Sequence, residues 1–145
     1  MPYLLDVNVL VALFDQAHVH HAASHAWFPQ ARASGWRTCP ITENGLLRIL
    51  SHPGYPNTPL PMSDLAGRLE EFKKSTETHE FWSDDFSFSE WLSDCRSPVG
   101  SSQLTDAYLL KLCQRNQGIL ATFDQRIRPA LTGESSASSL EYIPV

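Results

Sequence analysis

No stretch of this chain reaches the roughly 18–20 consecutive apolar residues that a membrane helix needs. The most apolar window, YLLDVNVLVALF, is broken by Asp6 and Asn8. The N-terminus lacks the basic segment and small-residue cleavage site of a secretory leader. Cysteine is scarce: Cys39, Cys95 and Cys113 are three, widely spaced, with no CxxC. A disulfide scaffold and a zinc ribbon are therefore not expected, and a reduced, cytoplasmic setting is. Basic residues are also few, 11 Lys plus Arg against 16 Asp plus Glu, for a net charge of −5. At face value that argues against a nucleic-acid binder, which usually presents a basic surface. No repeat or low-complexity linker divides the chain.

What is present reads as one globular domain over residues 1–145, of which 42% are hydrophobic and 19% charged. A chain of this length buries roughly 68–70% of the surface its unfolded form exposes, enough to fold without disulfides. Short apolar strands alternate with amphipathic helices. Strands are expected at Tyr3–Leu5, Trp36–Cys39, Glu80–Trp82, Ile119–Phe123 and Leu140–Ile143. Helices are expected at Asn8–Phe14, His20–Ala33, Thr42–Ser51 with Thr42 as its cap, from Ser63 through Phe72, Phe88–Cys95 and Thr105–Gln117. The stretch His52–Met62, with four prolines, reads as a surface loop, and Gly133–Ser139 as another. This alternation implies a parallel sheet with helices on both faces. In such a sheet, ligands bind along the edge formed by the strands' C-terminal ends.

Four acids map to that edge. Asp6 follows the first strand and Asp124 the fourth. Glu43 and Asp106 lie in the first turns of helices that leave the same edge. Singly, an acid in a first helical turn is a cap favoured by the helix dipole. Together, with no Lys or Arg as immediate neighbours, four carboxylates repel one another unless a cation neutralises them. Hard oxygen ligands favour Mg²⁺ or Mn²⁺ over Zn²⁺. Divalent ions held by acids cleave phosphodiesters by lowering the pKa of bound water and clamping the reacting oxygens.

The spaced set LLDVNVL, ITENGLLRIL, LTDAYLL and LATFD resembles the PIN domain, in particular the VapC-type toxin ribonucleases of type II toxin–antitoxin systems. The resemblance runs from Tyr3 to Ile127. It implies a three-layer α/β/α sandwich with a central, mostly parallel sheet of four or five strands. It also implies Mg²⁺- or Mn²⁺-dependent RNA cleavage, with Asp6, Glu43, Asp106 and Asp124 as the catalytic acids. A homodimer and a cognate antitoxin follow from it as well. Asp6 and Asp106 are expected to ligate directly, and Glu43 and Asp124 directly or through water. Asn8, Thr105 and Thr122 are placed to support an acid or its bound water, with helix capping the alternative for Asn8 and Thr105.

Other features have more ordinary readings. His21 and His25 are four apart, half of a zinc site, with Cys39 or His79 as remote further ligands; solvated helix-start histidines or a wall of the RNA groove are the alternatives. Trp27, Trp36, Trp82 and Trp91 suit packing, whereas Tyr55 in the Pro-rich loop suits stacking on a base. Cys39 and Cys113 read as core thiols. The helix NVLVALF is apolar nearly all round and must be covered. A receiver-like module would use Asp84 or Asp85 after the third strand and Thr122 after the fourth, but no lysine lies beyond Lys111. A catalytically silent protein-binding module is the other rival.

The acidic balance is unevenly spread. Without the four candidate ligands, 12 acids face 11 bases, and nine of those acids lie within Asp64–Asp94. Arg96, Lys111, Arg115, Arg126 and Arg128 flank the candidate site in sequence and are, with Tyr55, its candidate RNA contacts.

Overall fold

The structure, a computed structural model, describes residues 1–93, 95, 98–132 and 137–145. Five strands form one sheet: β1 (Tyr3–Leu5), β2 (Trp36–Thr38), β3 (His79–Phe81), β4 (Ile119–Thr122) and β5 (Leu140–Tyr142). Their order is β3-β2-β1-β4-β5, and every adjacent pair is parallel. The helices are α1 (Val7–Phe14), α2 (His21–Ser34), α3 (Pro40–Ser51), α4 (Met62–Lys74), α5 (Phe88–Ser93) and α6 (Leu104–Arg115).

Alternation along the central strands divides the core into two faces. Tyr3 and Leu5 of β1 join Ala121 of β4 in a cluster with Val9, Trp27, Phe28, Trp36, Leu46, Leu50, Leu65 and Leu69, supplied chiefly by α1 through α4. Leu4 and Leu120 point the other way, to Leu109, Leu110, Leu112 and Cys113 of α6. The result is the α/β/α sandwich expected. Trp27, Trp36 and Trp91 are buried, and Trp82 packs at the edge of the α6 cluster. Cys39 and Cys113 are buried free thiols whose pKa values burial pushes up. Among the described residues, no helix is long and apolar enough to cross a membrane.

Most element boundaries lie within one or two residues of expectation, and the starts of α3 and α4 are the instructive differences. Helix α3 begins at Pro40, with Cys39 as its cap; Thr42 is the third helical residue and its Oγ1 accepts the Cys39 N–H at 3.0 Å. Proline is favoured there because its missing N–H would have had no helical partner. Helix α4 begins at Met62 after Pro61, so Ser63 lies inside it. The loop expected over 133–139 closes in a 3-10 turn at Ala137–Ser139, and residues 133–136 lie outside the described set.

The apolar helix α1 is covered by the fold itself. Its residues Val9 through Leu13 are buried, and α2, α3 and β4 pack against it. Its apolarity therefore marks no external interface. The fit against α3 is tight: a Cβ at Gly45 would lie 2.5 Å from Val7 Cγ2. Only glycine lets the start of α3 approach the start of α1 this closely. That approach sets the helix carrying Glu43 beside Asp6.

The strand order also removes one rival. A receiver has the order 2-1-3-4-5, with its third strand beside the first. Here β3 is the outermost strand, two places from β1, and Asp84 and Asp85 are exposed beyond it.

Candidate active site

Connections leave β1 toward β2 and β3 on one side, and β4 and β5 lie on the other. The switch point is therefore between β1 and β4, where a crevice opens at the strands' C-terminal ends. Asp6, immediately after β1, caps α1: its Oδ1 accepts the Val7 N–H at 2.8 Å. Its Oδ2 accepts the Thr122 hydroxyl at 2.7 Å and Asn8 Nδ2 at 3.3 Å. Asn8 also donates to Thr122 Oγ1 at 3.1 Å and accepts the Phe123 N–H at 3.2 Å. Thr122 Oγ1 further accepts the Asp124 N–H at 3.0 Å. These bonds tie the ends of β1 and β4 together and fix the Asp6 carboxylate.

A cavity of about 410 Å³ opens there, walled by Asp6, Asn8, Thr105, Asp106 and Asp124 together with Val11, His18, Ile49 and Tyr55. Three of the four candidate acids thus share one cavity. Burial is the main cause that raises the Asp6 pKa to about 6; the charges of Asp106 and Asp124 add to it, and the Thr122 and Val7 hydrogen bonds oppose it. Asp106 is raised too, by partial burial and then by Asp124. Asp106 accepts no hydrogen bond among the described residues. Asp124 is held below its ordinary value, because Arg126 donates Nε to Oδ1 and Nη2 to Oδ2, both at 3.0 Å.

Glu43 stands apart from these three. Its Oε2 accepts the Thr38 hydroxyl at 2.6 Å and Lys73 Nζ at 3.2 Å. Lys73 in turn reaches Glu70 at 2.8 Å. The repulsion anticipated among four bare acids is therefore relieved in part by cations of the chain itself, Arg126 and Lys73. Arg126, expected as an RNA contact, is instead paired with Asp124 two residues before it, and Lys73 reaches Glu43 from thirty residues away.

Among the described residues, no three His, Cys, Asp or Glu side chains converge closely enough to hold a divalent cation as they stand. The chemistry nevertheless fits a hard cation. Two carboxylates raised by desolvation and by a neighbouring carboxylate face one cavity, and Asp106 accepts no hydrogen bond among the described residues. No nitrogen or sulfur ligand is required.

The remaining candidates separate by position. Thr105 and Tyr55 line the acid cavity. Lys111 lies midway along α6, and Arg128 is exposed after Asp124. Arg115 is at the far end of α6, about 13 Å along the axis from Asp106, with its guanidinium 4.6 Å from the Phe86 ring centroid. Sequence proximity misplaced it, because α6 runs away from the site. Arg96 lies outside the described residues.

The zinc reading of His21 and His25 does not hold. His21 Nδ1 is 2.8 Å from the Ala12 carbonyl and His25 Nε2 is 3.0 Å from that of Leu13. Both rings close the C-terminal turn of α1, and Cys39 is buried in the α6 cluster. The groove-wall reading fits His18, which lines the acid cavity, and His20 stacks on Phe123 at 4.7 Å.

The chain matches the PIN domain family over residues 3–130. It is 43% identical to Ribonuclease VapC44 of Mycobacterium tuberculosis over 141 residues, 95% of each chain. It is 38% identical over 144 residues to Ribonuclease VapC39 of the same organism, covering 99% of this chain and all of the relative. Ribonuclease VapC38, also from that organism, is 40% identical over 121 residues, 83% of this chain and 84% of its own. With its sheet order, its acid cavity and these full-length likenesses, the chain belongs to the PIN-domain family, in its VapC branch.

Proposed function

We propose that this chain, as one nuclease domain over residues 1–145, is a divalent-cation-dependent endoribonuclease and the toxin of a toxin–antitoxin pair. The observation that carries the reading is the cavity at the β1–β4 switch point, where Asp6, Asp106 and Asp124 stand together. The full-length likeness to VapC ribonucleases supports RNA as the substrate.

Asp6 and Asp106 would hold Mg²⁺ or Mn²⁺, with Asp124 and Glu43 joining directly or through water. Such an ion, when bound, offsets the carboxylate charge, lowers the pKa of a coordinated water and stabilises charge developing on the phosphate. The chain's own residues prepare the site. Thr122 and Asn8 hold the Asp6 carboxylate in one orientation, and the Thr122 bond favours its ionised form. Arg126 favours the ionised form of Asp124, and Lys73 pairs with Glu43. Thr105 borders the cavity beside Asp106, where its hydroxyl can hydrogen-bond water or phosphate. Arg128 and Lys111 are further candidate phosphate contacts.

A second copy of the chain, a cognate antitoxin and a cytoplasmic setting complete the proposal, supported by membership of the VapC branch. The test is cleavage of structured RNA by the purified chain with Mg²⁺ or Mn²⁺ and again with chelator. Cation-dependent cuts that vanish in Asp6→Asn are expected. RNA left intact under all cation conditions contradicts the reading.

A further inference from the structure

A second hollow adjoins the acids. A cavity of about 510 Å³ is walled by Arg48, Ile49, His52, Gly54, Tyr55 and Pro56. It shares Ile49 and Tyr55 with the acid cavity, so the two lie side by side against the same residues. Its volume falls within the roughly 300–1,000 Å³ of small-ligand sites. The wall has two chemical characters. Ile49, Tyr55 and Pro56 supply apolar surface, and Arg48 and His52 supply donors, with no carboxylate among these residues.

Both donors are held on the end of α3. Arg48 lies in its last turn and His52 is its cap. His52 Nδ1 accepts the Gly54 N–H at 2.8 Å, which leaves Nε2 as the proton-bearing nitrogen. The Tyr55 ring is also anchored. Its hydroxyl donates to Asp15, which accepts Asn57 Nδ2 at 2.5 Å and the Ala17 N–H at 2.9 Å as well. Those bonds pin the Pro-rich loop to the end of α1. A flat ring fixed in advance loses little freedom when something stacks on it.

We propose that this hollow is a subsite for the nucleotide next to the scissile phosphate of a single-stranded RNA. The base rests on Ile49, Tyr55 and Pro56, and its phosphate is met by Arg48 and His52. A cation beside an apolar platform, adjoining the cavity of the candidate acids, matches a nucleotide better than an apolar peptide. Single-stranded RNA is specified because only an unpaired base exposes its face for stacking. The inference rests on the ribonuclease reading for the identity of the polymer.

The test is fluorescence anisotropy of a labelled single-stranded RNA octamer on the full chain, in chelator so that no cation-dependent cleavage intervenes. Arg48→Glu is expected to weaken binding about tenfold or more and to lower the salt slope by about one ion. Ile49→Ser, an apolar change without charge, is expected to weaken it about threefold or more. Arg115→Glu, the same charge reversal at the far end of α6, is expected to change it less than about twofold. Equal affinities in wild type, Arg48→Glu and Ile49→Ser overturn the subsite, as does octamer binding too weak to measure in wild type. Unchanged RNA binding with lost self-association or lost binding of a protein partner assigns the hollow to a protein interface and also overturns it. If wild type cleaves RNA and the variants bind equally, the subsite fails alone. If the variants weaken binding while wild type cleaves nothing, the ribonuclease reading fails and takes with it the place beside a scissile phosphate, while RNA binding at the hollow stands.

Discussion

Lys73 Nζ stands 3.2 Å from Glu43 Oε2, with both side chains largely shielded from solvent. The pair joins α4 to the first turn of α3 and gives a candidate ligand acid an internal counter-ion. A cation entering the site competes with that lysine for Glu43. Lys73→Met is therefore expected to bind Mn²⁺ more tightly, by about threefold or more, while costing about 0.5–1 kcal/mol of stability without the metal. Melting temperature against Mn²⁺ concentration separates the two effects. A lysine that only braces the fold would lower the whole curve without moving its midpoint.

Thr122 carries more bonds than its size suggests. Its fully buried hydroxyl donates to Asp6 and accepts from Asn8 and from the Asp124 backbone. Thr122→Val keeps the shape and strands those partners, at a cost of about 1–3 kcal/mol. The lost hydrogen bond also raises the Asp6 pKa further. Denaturant unfolding in chelator reads the first effect. The second appears as a smaller Mn²⁺-induced stabilisation near pH 6 than at pH 8, with a wider gap than in wild type.

The common edge of Asp6, Asp106 and Asp124 was legible in the sequence. Parallel strands with crossover helices leave few places for an acid just after a strand or in the first turn of a returning helix. The apolar faces of α1, α3 and α6 were legible for the same reason, since local periodicity reports burial. Contacts between distant segments were not. Lys73 meets Glu43, and Tyr55 meets Asp15, only because segments of thirty to forty residues, helices included, fold back. The histidines near α2 were ambiguous because carbonyl acceptors, unlike metal ligands, leave no mark in a sequence. The start of α3 slipped by two residues because Pro40 reads equally as a strand stop and a helix opener.

His79 sets a pH signature independent of the acid cavity. Its Nε2 lies 2.9 Å from Thr38 Oγ1, and that hydroxyl donates to Glu43, so Nε2 carries the proton. Burial, then the Lys73 charge, lowers its pKa from 6.5 to about 4. Between those values the unfolded chain binds a proton that the folded one refuses. Stability from this group is present above about 6.5 and is lost as pH falls toward 4. Asp6 acts in the opposite sense: raised from 3.8 to about 6, it contributes stability at low pH that is lost as pH rises through about 6. The two partly cancel between pH 4 and 6. His79→Gln retains a donor to Thr38 and removes one component. Relative to wild type, its stability should improve by about 1–2 kcal/mol as pH falls from 6.5 to 4, a value reduced for the ring's partial exposure. Urea unfolding in chelator across that range checks the sign, and a constant difference would contradict it.

A divalent-cation site in the cavity formed by Asp6, Asp106 and Asp124 underlies the whole proposed activity. The most direct measurement is the melting temperature of wild type and Asp106→Asn across a Mn²⁺ titration at pH 7.5. A ligand bound only by the folded state adds about 2.7 kcal/mol at a hundred times its dissociation constant. A saturable rise is expected in wild type, with the curve shifted at least tenfold to higher Mn²⁺ in Asp106→Asn. Identical curves for the two proteins, or a wild-type melting temperature that Mn²⁺ leaves unmoved, would contradict it.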